Sequence, residues 1–234
     1  MRVVGFLYVD CGKPEYAAMA ENMVHWVREA MQDAYIVHMA SPNTVSIAGV
    51  SRRINREVTQ ENAPLMIYRL EHLANFPYEQ MLLLDVDVVM NRDPWKVFDT
   101  PFDMAFTTRD RDAIVDGESI ARKMPYNIGV MFSRSPAFWR EAHAYVKTLP
   151  PDHQQWWGDQ LAVKHLADSG RYRIHEISSD PYNYSPDLAD EDVTDKFMVH
   201  YKGARKARLF DKFPSILRRL NGPQGYHYRS ERAA

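Results

Sequence analysis

Asp85 and Asp87 stand two residues apart inside Met81-Leu-Leu-Leu-Asp-Val-Asp-Val-Val-Met90, the longest apolar run of the chain. In an extended backbone that spacing turns both carboxylates to one face. Left unpaired in an apolar strand, each acid would cost several kcal/mol, and like charges so close repel. A divalent cation removes both penalties, and hard oxygen ligands suit Mg²⁺ or Mn²⁺. The plainer alternative is a strand that ends at Leu84, with both acids solvated or salt-bridged. A second segment, His200-Tyr-Lys-Gly203-Ala-Arg-Lys206, follows a short apolar run. Imidazole can complete a divalent-metal shell, glycine permits close backbone approach, and a lysine one turn later can hold a diphosphate. Each piece alone is weak, but together the two acids, the histidine and the lysine fit one metal–diphosphate site.

Such residues need elements to bring them together. Val3–Val9 is almost wholly apolar and predicts a strand buried on both faces of a parallel sheet. Pro14 suits the first position of a helix, along which Ala20, Met23, Val24, Val27 and Met31 form an apolar stripe. Tyr35–Met39 reads as a second strand. The polar residues 40–62, with Arg52, Arg53 and Arg56, read as a long loop over the active edge. Pro64 opens another helix with Leu65, Tyr68 and Leu73 on its apolar side, and Met81–Val89 is the clearest strand. Phe102–Thr107, Ile128–Phe132, Tyr172–Ile177 and Phe197–Tyr201 complete the strands. Ser135-Pro136 has the cap and first-turn chemistry for a helix to Lys147, and a helix over Asp159–Asp168 ends at Gly170. This alternation predicts a single α/β domain with a mainly parallel sheet flanked by helices, which binds ligands at the carboxyl ends of its strands.

The chain has 234 residues, 45% hydrophobic and 26% charged, enough for one globular core without disulfide or metal. Its single cysteine, Cys11, excludes an intramolecular disulfide and an all-cysteine zinc site, and reads as a small packing residue. No run approaches the ~18 apolar residues of a membrane span. The N-terminal segment lacks a full signal-peptide pattern, so a cytoplasmic protein is expected. The net charge of −2 hides an asymmetry: nine Lys/Arg against two acids from His200 to Ala234 leave that end at +7 and the rest at −9. This divides the chain into a domain over 1–206 and a basic segment over 207–234 with Phe210, Phe213, Tyr226 and Tyr228 interleaved. Such an end suits an anionic partner, either a membrane's inner face or, with Arg52, Arg53 and Arg56, a nucleic-acid backbone. A solvated face is the plain alternative.

Asp-x-Asp after an apolar strand, with His-x-x-Gly-x-x-Lys far downstream, resembles the nucleotide-sugar glycosyltransferases of GT-A (Rossmann-like) fold. The similarity is greatest to glycosyltransferase family 8 and related retaining families. Tyr68-Arg69-Leu70, Tyr126-Asn127-Ile-Gly129-Val130 and Trp157-Gly158-Asp159-Gln160 resemble three further motifs of these enzymes, in the same order. Two departures stand out. Ala207-Arg208 replace the proline and tryptophan that often follow the last lysine, and Leu161 follows Asp-Gln, which leaves acceptor class and subfamily open.

The resemblance implies a metal-dependent transferase that moves a sugar from a nucleoside diphosphate sugar, with uridine the usual base, to a hydroxyl with retention. It implies Asp85, Asp87 and His200 as ligands of Mn²⁺ or Mg²⁺. Tyr8, Val9 and Asp10 would meet the nucleoside, Asp85 the ribose, and Gly203 and Lys206 the diphosphate. Arg69, Asn127 and Gly129 would lie at the donor sugar. Asp159 is the first choice for a catalytic carboxylate, followed by Gln160; with inversion, Asp159, Asp110 or Asp112 could serve as base. Trp156 or Trp157 could form an acceptor platform, and Trp139 and Tyr145 read as core. The acceptor could be a saccharide, a glycolipid or a modified DNA base. Competing readings are a haloacid dehalogenase-like phosphohydrolase, a sugar nucleotidyltransferase and an inactive nucleic-acid- or lipid-binding member of the fold. The first lacks its later Gly-Asp-x-x-x-Asp here, and the second its glycine-rich basic loop.

Overall fold

Val3, Val4 and Phe6 are almost fully buried because their strand, β1 (Val3–Leu7), lies inside a sheet covered on both faces. The computed structural model describes residues 1–213 apart from Asp110, Ala113, Asp116 and Trp156. After β1 come α1 (Pro14–Ala30), β2 (Tyr35–Ala40), β3 (Arg52–Asn55), α2 (Leu65–Ala74), β4 (Met81–Leu84) and β5 (Val88–Met90). Next are β6 (Met104–Thr108), a small hairpin of β7 (Ile114–Val115) and β8 (Glu118–Ser119), α3 (Ile120–Lys123), β9 (Tyr126–Ser133), α4 (Pro136–Val146) and α5 (Gly158–Asp168). The described chain closes with β10 (Ile174–Ile177), α6 (Ser179–Tyr182), β11 (Met198–His200) and α7 (Lys206–Lys212).

Seven strands form the main sheet in the order β10-β6-β9-β4-β1-β2-β3. All neighbours are parallel except the two pairs made by β9, which runs antiparallel to both β4 and β6. Strand alternation sorts the core. Leu82 and Leu84 pack with Met23, Val24 and Val27 of α1, while Met81 and Leu83 face α2, α4 and α5. The expected single α/β domain is what the structure shows. Ser135 caps α4, its hydroxyl accepting from the Phe138 N–H at 3.2 Å. Gly170, with φ +69°, follows α5 in the left-handed conformation that glycine tolerates best.

Three expectations need correction. Met81–Val89 is not one strand: β4 stops at Leu84, a turn carries Asp85–Asp87, and β5 pairs antiparallel with β11 in a separate two-stranded sheet. The apolar residues after Asp87 serve that second sheet, so the run looked continuous. Residues 40–62 are not all loop, because Arg52–Asn55 forms the edge strand β3, parallel to β2. Its charged, half-exposed residues carry no apolar alternation to betray it. Leu65 belongs to no apolar side but is 44% exposed, whereas Tyr68 and Leu73 are buried as expected.

The 207–234 segment begins inside α7, where Leu209 and Phe210 are buried against Met19 of α1 and Val89 of β5. Phe213 packs on Trp26 with ring centroids 5.4 Å apart. Both phenylalanines therefore pack on the body of the protein, Phe210 buried and Phe213 partly so. Residues 214–234, with Tyr226 and Tyr228, lie outside the described residues. Among the described residues, no helix is long and apolar enough to cross a membrane.

Candidate active site

Asp85 and Asp87 occupy the turn at the carboxyl end of β4. The Asp85 N–H donates to the Gly129 carbonyl of β9 at 2.8 Å, and the Val88 N–H donates to Asp85 O at 3.2 Å. β5 then lies opposite β11, with His200 paired to Val88, and the Tyr201 N–H donates to the Asp87 carbonyl at 3.0 Å. This small sheet carries His200 to the acids. Its Nε2 lies 3.2 Å from Asp87 Oδ1 and 3.8 Å from Asp85 Oδ2. One ligand atom from each of the three residues falls within 4.8 Å of the others, the only such trio among the described residues.

Two hard carboxylates and one imidazole suit a divalent ion. The surroundings fit one too. A Cβ on Gly129 would come within 2.1 Å of His200 Cε1 and 2.9 Å of Asp85 Oδ2, so this cluster needs glycine beneath it. β9 bulges here: its register with β6 jumps from Phe106↔Met131 to Thr107↔Asn127, arching residues 128–130 under the cluster.

Charge around the trio is compensated. Lys206 Nζ lies 2.6 Å from Asp87 Oδ2. Burial alone would raise the Asp87 pKa, but His200 and Lys206 outweigh it and hold the carboxyl below the usual carboxylate range. Arg69 of α2 reaches across the sheet edge, 3.0 Å from Asp85 Oδ1 and 3.2 Å from Asp159 Oδ2, and also donates to Ile128 O at 2.9 Å. Asp159, in the first turn of α5, is only 1% exposed. Burial pushes its pKa up to about 6, with Asp85 adding and Arg69 opposing.

These groups line one open cleft of about 460 Å³, within the size range of small-ligand sites. Tyr8, Val9, Arg69, Asp85, Asp87, Asn127, Gly129, Asp159, Gln160, His200, Gly203 and Lys206 all border it. Asp10 does not. It is exposed, and its carboxylate accepts from the Gly12 N–H at 2.9 Å. Gly203, at φ +61°, turns the backbone at the rim. Cys11 is exposed at the cleft and not packed, contrary to expectation, because the chain beyond β1 leaves the sheet.

Other expected residues lie elsewhere. Asp112 caps the following segment, accepting from the Ala121 N–H at 2.8 Å, and Asp110 and Trp156 lie outside the described residues. Trp157 precedes α5 with Lys123 Nζ 5.3 Å from its ring centroid. Trp139 is 1% exposed in the core, and Tyr145 stacks on His165. Arg52, Arg53 and Arg56 are engaged within the chain, with Tyr78, Asn55 and Glu71 respectively.

The sequence reading missed several residues at the cleft. Arg109 donates to Gln160 Oε1 at 2.5 Å, and Lys13, Tyr16 and Lys202 also border the cavity. Asn183 bonds His200 Nδ1 through its Oδ1 at 2.9 Å. Of these, Lys202 lies inside the His200–Lys206 segment singled out above, and Arg109 stands next to Asp110.

Residues 20–200 match the family model described as nucleotide-diphospho-sugar transferase. Among curated proteins none matches the sequence. Solved structures share the fold. A glycosyltransferase involved in glycosylation of the major capsid of PBCV-1 is 18% identical, covering 89% of this chain and 97% of that one, with TM-score 0.59. The galactosyltransferase LgtC, in complex with donor and acceptor sugar analogues, is 17% identical over 92% and 94%, with TM-score 0.62. The glycosyltransferase GlyE of Streptococcus pneumoniae TIGR4 is 11% identical over 98% and 66%, with TM-score 0.61.

Proposed function

Because this chain belongs to the nucleotide-diphospho-sugar transferase family, we propose that it is a metal-dependent glycosyltransferase acting on a UDP-linked sugar, with retention at the transferred sugar. The observation that carries this reading is Arg69, whose single guanidinium joins Asp85 of the ligand trio to Asp159 on the cleft wall. It joins a cation-fit cluster and a buried carboxylate at neighbouring points of one cavity, an arrangement suited to transfer from a nucleoside diphosphate sugar.

Asp85, Asp87 and His200 would hold Mn²⁺ or Mg²⁺, which supplies positive charge to the departing diphosphate. Lys206, now paired with Asp87, is within reach to contribute its charge to the same phosphates, and Gly203 allows their close approach. Tyr8 and Val9, at the end of β1, are assigned to the nucleoside. Arg69, Asn127, Asp159 and Gln160 are assigned to the sugar, where positive charge grows at the anomeric carbon. The bond from that carbon to the β-phosphate oxygen breaks, and its electron pair leaves with the nucleoside diphosphate. The acceptor oxygen bonds to the same face, and its proton passes to the phosphate. Asp159 contributes a negative charge beside that centre when ionised.

A saccharide or glycolipid is the acceptor we favour. A fold relative holds sugar analogues of both donor and acceptor, and the arginines that could have tracked a nucleic acid are engaged within the chain. Family membership sets the phosphohydrolase reading aside. The test is incubation with UDP-, GDP-, CDP- and ADP-sugars plus saccharide acceptors and Mn²⁺, with nucleoside diphosphate release and the product linkage read by NMR. Metal-dependent release of UDP with a retained linkage is expected. An inverted linkage would overturn retention, and no release from any donor would overturn the reading.

A further inference from the structure

The ring of His200 has two nitrogens, and the chain around it decides which one carries the proton. The Gly129 N–H donates to Asn127 Oδ1 at 3.0 Å, and a backbone N–H can only donate, so this end of the Asn127 amide is its oxygen. The Asn183 atom 2.9 Å from that oxygen must then be the donor Nδ2. Nδ2 also reaches Thr107 Oγ1 at 2.6 Å. Thr107 can accept there because its own hydroxyl donates to the Asn127 carbonyl at 3.0 Å.

With Nδ2 committed twice, Asn183 presents Oδ1 to His200 Nδ1 at 2.9 Å. A carbonyl oxygen only accepts, so Nδ1 carries the hydrogen. In the neutral ring the lone pair is then on Nε2, the nitrogen beside Asp85 and Asp87. Thr107, Asn183, His200 and Asn127 are all buried, at 0%, 1%, 3% and 8% exposure. Reversing Asn183 would set oxygen against oxygen, and reversing Asn127 would set donor against donor, away from water, where an unmade hydrogen bond is expensive. The fold delivers Asn183 to this point: its N–H closes α6 on Ser179 O at 2.7 Å, and the next residue, Tyr184, accepts from the His200 N–H at 2.7 Å.

We propose that Asn183 is a positioning residue for metal capture: it holds the His200 proton on Nδ1 so that Nε2 offers its lone pair between Asp85 and Asp87. Thr107 and Asn127 keep the Asn183 amide in that orientation. An imidazole that ligates through one nitrogen commonly donates its other N–H to an oxygen, which fixes ring tautomer and direction. The capture part of this proposal rests on the metal site of the proposed function; the tautomer is a property of the chain alone.

The full chain, labelled with ¹⁵N-histidine and free of metal, is studied at pH 9, above the ordinary imidazole range. Two-bond ¹H–¹⁵N correlations then report the tautomer, with His200 assigned by its loss in His200→Gln. Wild type is expected to show hydrogen on Nδ1, and Asn183→Leu a mixture of tautomers. In Mn²⁺ titrations followed by electron paramagnetic resonance, Asn183→Leu is expected to bind about 10- to 100-fold more weakly. Should Asn183→Leu fail to fold, Thr107→Val takes its place, with a smaller loss in the same direction. Hydrogen on Nε2 in wild type, or undiminished Mn²⁺ affinity in both Asn183→Leu and Thr107→Val, would overturn the proposal. Wild type with hydrogen on Nδ1 but no Mn²⁺ binding would sink the metal reading while upholding the tautomer relay, so the two failures are distinguishable.

Discussion

Gly129 lies against the ring edge of His200, with room for a hydrogen and nothing larger: a Cβ there would meet Cε1 at 2.1 Å and Nδ1 at 2.6 Å. The requirement is one of space. Gly129→Ala is therefore expected to push the imidazole off the two acids, lowering Mn²⁺ affinity at least about tenfold. Overpacking of this kind costs about 1–3 kcal/mol of stability, which urea unfolding would read. Wild-type Mn²⁺ affinity in this variant would show that the ligand trio does not depend on the packing seen here.

Asp87 is held as a carboxylate by His200 and Lys206 against the pull of burial. A depressed carboxyl contributes stability that is fully present above its unfolded pKa, about 4, and lost as pH falls through its lower folded value. Metal-free wild type should thus lose stability more steeply below about pH 4 than Asp87→Asn, while the two run parallel above it. At pH 7 the variant is expected to be about 3 kcal/mol less stable, because the Lys206 ammonium loses its buried anion. Metal-dependent turnover in Asp87→Ala should vanish. Parallel acid unfolding curves for wild type and Asp87→Asn would contradict the pairing.

Asp159 behaves in the opposite sense. Its pKa is raised to about 6, chiefly by burial, so ionising it opposes folding. The associated stability is present below about pH 4 and is lost as pH rises through about 6. In metal-free protein, the wild type should lose up to about 3 kcal/mol relative to Asp159→Asn between pH 4 and pH 7. If the carboxylate is the working form, turnover rises with pH through about 6 and loses that limb in Asp159→Asn. A pH-independent stability difference between the two proteins would remove the assignment.

Arg109 occupies the oxygen of Gln160 at 2.5 Å and the Met124 carbonyl at 2.6 Å. A guanidinium only donates, so the Gln160 amide keeps Nε2 for a ligand. Gln160→Glu and Arg109→Met are each expected to lower kcat/KM about tenfold, the loss of roughly one hydrogen bond. Because they act as a unit, the double variant should be little worse than the poorer single one. Additive losses would show that Arg109 does not act through Gln160.

Much of this arrangement is legible in the residues themselves. Asp85, Asp87, His200 and Lys206 are chemically conspicuous, and the structure brings them within contact of one another. The path that joins them was not legible. The acids sit in a turn, and Val88–Met90 leaves the main sheet to pair with β11, a long-range choice that local apolarity cannot express. β3 escaped notice because an edge strand with Arg52 and Arg53 need not alternate. Asn183 and Thr107 are ordinary polar residues in sequence, and their meaning comes wholly from what they touch. Asp10 stood out by position alone, and its exposed carboxylate accepts from the Gly12 N–H outside the cleft lining.

The central claim is that the Asp85–Asp87–His200 trio and the cleft beside it bind a nucleotide sugar through a divalent ion. The most direct test is thermal unfolding of the full chain with UDP-, GDP-, CDP- and ADP-sugars, each with Mn²⁺, with Mg²⁺ and with a chelator. A ligand at 100 times its dissociation constant stabilises the folded state by about 2.7 kcal/mol, which shifts Tm readily. The account predicts stabilisation by UDP-sugars with metal, lost with chelator and in Asp87→Ala. Stabilisation indifferent to metal, or none by any nucleotide sugar, would contradict it.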